Sequence, residues 1–153
     1  MESTFYNILK HAHSGLRWVL LILLVYAIYN AFSKKTKNQY EEKDRKLNMF
    51  TMIAAHTQLL FGLIMYITNE GIMAAWGNIG GIMKISEARH IVIEHLFGML
   101  IAIVFITIGH SKSKKASSAN SKHSKIFGMY LLALIIILAS IPWPFRFAGA
   151  GWF

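Results

Sequence analysis

The chain has 153 residues, 55% of them hydrophobic and only 15% charged, with 16 Lys and Arg against 7 acids. So apolar a composition excludes an ordinary soluble domain of this length. With no cysteine, disulfides, cysteine-ligated iron–sulfur clusters and covalently attached c-type haem are excluded too, and any haem must be held non-covalently.

Residues 1–153 read as a single membrane domain. Four apolar runs predict spans at approximately 10–32, 47–68, 90–109 and 126–143, each near the roughly 20 residues that cross hydrocarbon. The expected fold is all-α: an integral membrane four-helix up-down bundle in contact with the lipid bilayer.

The first helix is expected to start at an N-cap, Ser3, because Phe5, Ile8, Leu9 and Ala12 already recur at helical spacing. It has no A-x-A cleavage site and runs into Lys34-Lys35, as a stop-transfer anchor would and a cleaved signal would not. The charged segment 33–45 is expected to be a solvated loop. The second helix runs to about Thr68. Connection 69–89 carries Gly71, Gly77, Gly80 and Gly81 among Ile72, Met73, Trp76 and Ile79. It reads either as extended chain on the outer leaflet or as a cap over the bundle. The third helix gives way to a Ser/Lys-rich segment, 111–125, expected to be flexible; its His123, and His110 just before it, should be solvated. The fourth helix must end at Pro142, since Pro142 and Pro144 have no N–H to donate. Trp143, Phe145, Phe147, Trp152 and Phe153 beyond it are expected to anchor at headgroup level.

Charge sets the orientation. Lys34, Lys35, Lys37, Lys43, Arg45 and Lys46 lie between the first two spans, and Lys112, Lys114, Lys115, Lys122 and Lys125 between the last two. Loops rich in Lys and Arg stay in the cytoplasm, which places both termini and 69–89 on the non-cytoplasmic side. A nucleic-acid partner is excluded, because these clusters abut apolar spans without interleaved aromatics. Attraction to anionic lipids accounts for them.

Ionisable residues inside spans are expensive and mark candidate sites. Counting 1.5 Å per residue from the cytoplasmic edges puts Arg17 at roughly 24 Å, His13 at roughly 30 Å, and His95 and Glu94 at roughly 21–22 Å. His56 comes at roughly 15 Å. Arg17 and Glu94 share a depth and are expected to pair. His13, His56 and His95 come from three helices and are expected to face one bundle, as in helical haem and metal sites. Side chains lean toward a helix N-terminus, so His13 and His95 lean outward together and form the first-choice haem ligand pair. His56 with His95 is the second. Gly15, Gly62 and Gly98 leave room for a macrocycle, and Arg17 suits a propionate. The alternative is an Fe, Cu or Zn ion held by His13, His56, Glu94 and His95. A third reading is a structural subunit or small transporter whose polar cluster only fixes helix packing.

The stretches His13-Ser14-Gly15-Leu16-Arg17-Trp18, Ala55-His56-Thr57-Gln58-Leu59-Leu60-Phe61-Gly62, Glu94-His95 and Ile141-Pro142-Trp143-Pro144 resemble the short four-helix bacterial membrane proteins catalogued as cytochrome b-like. The resemblance covers most of the chain. It implies b-type haem, electron transfer with quinone or a redox protein subunit, a place in the bacterial inner (cytoplasmic) membrane, and Gln58 as a further cofactor-binding residue. Oligomeric state is left open.

Overall fold

The computed structural model describes residues 4–147 and 151–152; Ser3, the expected N-cap, and Phe153 lie outside them. The described residues are α-helical in the main: α1 (Thr4–Lys34), α2 (Glu42–Thr68), α3 (Glu70–Trp76), α4 (Ile79–Ile82), α5 (Ser86–Arg89), a π-helical turn (His90–Glu94), α6 (His95–Lys115) and α7 (Ala119–Ser140). Among them, α1, α2, the continuous run from α5 through α6, and α7 are long and apolar enough to cross a membrane.

The ends of the helices follow from local chemistry. At the start of α2, Asp44 reaches back to accept the Glu41 N–H at 2.9 Å, half of a capping box. Ser118 caps α7 by accepting the Ser121 N–H at 3.1 Å. α7 stops at Ser140, two residues before Pro142, as expected.

α1 packs on α2 and α7, and α6 packs on α7 and α2. Every pair of neighbours runs in opposite senses. Asn30 meets Asp44 while Tyr6 meets Asn69; Phe32 meets Phe127 while Trp18 meets Trp143. The core is lean: Leu24, Ala27, Ala31, Ala55, Ala102, Ile106, Tyr130 and Ala133 are buried. Small residues facing one another let membrane helices approach closely. Large apolar side chains such as Ile22, Tyr29, Leu60, Val104 and Ile135 point outward, a surface suited to lipid rather than water.

Three expectations are corrected. Connection 69–89 is not extended chain: it forms α3, α4 and α5, tethered by Asn69 Nδ2 donating to Tyr6 Oη (2.8 Å) and Trp76 Nε1 donating to Tyr66 Oη (2.9 Å). Segment 111–125 is mostly helical, because α6 and α7 extend into it and leave only 116–118 between them. His123 is buried, not solvated. Its Nε2–H donates to the Gln39 carbonyl at 2.9 Å and its ring lies 5.0 Å from Tyr40. These contacts bring the two basic connections together at one end of the molecule.

Candidate functional site

At the other end, the two prolines after α7 create an opportunity. The carbonyls of Leu138 and Ser140 would be matched four residues on by N–H groups that Pro142 and Pro144 lack. Both are met by side chains instead. Trp143 Nε1–H donates to Leu138 O at 2.8 Å, and His95 Nδ1–H donates to Ser140 O at 2.9 Å. The second bond fixes the tautomer of His95, so Nε2 carries the lone pair, the arrangement typical of a ligating histidine.

His13 comes from α1. A Cβ at Gly62 of α2 would stand 3.0 Å from His13 Cε1, so the glycine makes room for the ring. One turn earlier on α2, Gln58 Nε2 donates to the His13 carbonyl at 2.8 Å and ties the two helices. The His13 and His95 rings lie 6.4 Å apart, centroid to centroid, at 79°. Several buried polar atoms here have no hydrogen-bond partner among the described residues: His13 Nδ1, Arg17 Nε, Gln58 Oε1 and His90 Nε2. Buried polar atoms are rarely left unmatched without a reason.

The C-terminal tail returns over this locus. Arg17 Nη2 and Trp18 Nε1 both donate to the Trp152 carbonyl, at 2.5 and 3.1 Å. Trp18, Trp143 and Trp152 form a cluster with centroids 6.2–6.5 Å apart. Phe147 is buried and stacks on His90 at 4.6 Å. Of the aromatics expected at the headgroups, Phe145 is freely exposed while Phe147 is not.

The expected Arg17–Glu94 pair does not form. Glu94 accepts from Arg89 Nε at 2.7 Å and from His90 Nδ1 at 2.9 Å. Equal height does not mean facing sides. The π-helical turn keeps Glu94 with neighbours on its own run, while Tyr66 Oη donates to the Val92 carbonyl inside that turn at 2.6 Å. Such turns recur at functional sites.

His56 also stands apart. It lies about 200° around α2 from Gln58, and it is exposed. Its Nδ1–H donates to Met52 O at 2.8 Å and its Nε2 lies 3.4 Å from Thr107 Oγ1. His13, His56, Glu94 and His95 are therefore not brought together. Among the described residues no group of three or more His, Cys, Asp or Glu side chains is placed to hold a metal ion. Sequence reasoning missed the parts played by Trp18 and the Ser140 carbonyl, and only the latter had a signal, the proline four residues after Ser140; His90, expected on one face with Glu94, does meet it. In comparisons with known proteins, no family model, curated protein or solved structure matches this chain.

Proposed function

We propose that this chain is a multi-pass membrane protein that holds one b-type haem between His13 and His95 and serves electron transfer. The carrying observation is the ring pair. Two imidazole nitrogens about 2 Å from a shared metal on opposite sides put the ring centroids roughly 6 Å apart, and these stand at 6.4 Å. The hydrogen bond from His95 to Ser140 O and the unmatched His13 Nδ1 fit the same role. Gly62 clears space beside one ligand, and Arg17 offers an unpartnered buried Nε–H suited to a propionate. Gln58 positions the His13 turn, and the Trp18–Trp143–Trp152 cluster limits water at the outer end. A haem so held supplies reversible one-electron transfer, with a lipid-soluble quinone or a redox subunit as partner. In this reading the helices form an up-down bundle in a bacterial inner membrane, the basic end inside and both termini outside.

The test is a visible spectrum of the purified, reduced protein, with sharp low-spin bis-imidazole bands expected. His95→Ala abolishes them, His13→Ala abolishes them or shifts them to a five-coordinate form, and His56→Ala leaves them intact. Bands lost with His56→Ala but kept with His13→Ala would reverse the ligand assignment. A folded protein that stays colourless when supplied with haem leaves the cluster a structural one.

A further inference from the structure

On the far side of α2 from His13, an open cleft of about 550 Å³ runs between α2 and α6, lined among others by Met52, Ile53, His56, Thr107, His110 and Lys114. It adjoins a second space of about 220 Å³ that shares Met52, His110 and Lys114 and adds Tyr40, Arg45, Met49 and Lys122. Together they form a groove that starts beside apolar side chains and ends among cations. Neither lining includes an acid. Arg45 is engaged by Glu42, Nη2 to Oε1 at 2.5 Å, and Lys122 sits 5.0 Å above the Tyr40 ring, which holds its ammonium at the groove's end.

We propose that this groove binds one anionic phospholipid, its phosphate between Lys114, Lys122 and His110 and an acyl chain along Met49, Met52 and Ile53. Charge complementarity argues for the headgroup, since basic pockets between membrane helices recognise anionic lipids. The flanks argue for a lipid over a soluble anion: Phe50 and Ile53 on α2 and Val104 on α6 are exposed apolar side chains. Thr107 donates to the Ile103 carbonyl at 2.8 Å and His56 to the Met52 carbonyl at 2.8 Å, so the polar hydrogens in the wall are already matched where an acyl chain would run.

The experiment is native mass spectrometry of the protein released from mild detergent carrying phosphatidylglycerol and phosphatidylcholine in equal amounts. One phosphatidylglycerol should be retained in preference to phosphatidylcholine. The Lys114→Gln/Lys122→Gln variant should weaken retention about thirtyfold. Lys35→Gln/Lys37→Gln removes the same charge at the same end and should leave retention unchanged. Both variants are first matched to the parent by helical content and elution in detergent, and a variant that fails is replaced by Lys114→Met/Lys122→Met. Equal retention of both lipids, equal loss in the two variants, or displacement by inorganic phosphate or by a neutral quinone overturns the proposal.

Discussion

Asp44 shows how much a single residue can organise. It is buried at the basic end, where Lys34 Nζ reaches it at 2.7 Å, Asn30 Nδ2 at 2.8 Å and the Glu41 N–H at 2.9 Å. It thus joins the end of α1 to the first turn of α2. Asp44→Ala would leave the partly buried Lys34 ammonium with only the longer contact to Glu41, at 3.7 Å, and the Asn30 amide unmatched. It should destabilise the fold by about 2–3 kcal/mol, read as a drop in thermal midpoint in detergent, while Asp44→Asn loses less because the shape and one acceptor oxygen remain. The sequence placed this residue in a solvated loop, and nothing in composition distinguishes Asp44 from Glu41 or Glu42. Only the backbone turn that closes α1 onto α2 does. The same holds for His123. His13 and His95 were legible as spanning-helix histidines that lean the same way, although counting set them roughly 8–9 Å apart in height and only the fold brings their rings to 6.4 Å. Glu94 was not, because counting gives height and says nothing of the direction a side chain faces across the bundle.

Among the elements, α6 and α7 make the closest approach that bears on the site. A Cβ at Gly98 would collide with Ser140 Oγ and stand 2.8 Å from Ser140 Cβ, so the helices meet here through a glycine and a serine. That contact also delivers the Ser140 carbonyl to His95. Gly98→Ala should cost roughly 1–3 kcal/mol through overpacking. Ser140→Gly in the same chain should recover most of it, since the backbone carbonyl remains. Thermal midpoints of the two single variants and the double variant decide the matter, and additive losses would mean the helices do not meet at this pair. Helix existence was readable from the apolar runs, and the stop of α7 from Pro142. The π-helical turn was not, and the contact made inside it, Tyr66 Oη of another helix donating to the Val92 carbonyl, is tertiary and has no local signature. The helical form of 69–89 escaped notice because its glycines read as loop, although Asn69 and Asn78 cap α3 and α4 by accepting the Ile72 and Gly81 N–H groups.

At the scale of the whole molecule, the fold gathers the basic residues at one end. Eleven of the 16 Lys and Arg flank the α1–α2 and α6–α7 connections, and contacts between Tyr40 and His123 and between Lys35 and Phe127 bring those connections to the same end. The opposite end holds α3 to α5, the histidine pair and the tryptophan cluster, with the remaining cations Lys10, Arg17, Lys84, Arg89 and Arg146. Positive residues near span ends resist translocation, so the basic end is expected in the cytoplasm. Reporter domains fused after Lys46 and after Lys122 should then read as cytoplasmic, and one fused after Phe153 as external. Removing charge supplies the sharper arm. Replacing Lys34, Lys35, Lys37, Lys43, Arg45 and Lys46 by Gln should weaken the bias and yield a mixed population at the first fusion. The second connection, with its own five lysines, should hold the last two helices in place. A cytoplasmic reading at Phe153 in the parent chain would mean that α7 does not cross if the other two fusions also read as cytoplasmic, and that the whole bundle is inverted if they read as external; either overturns the assigned orientation.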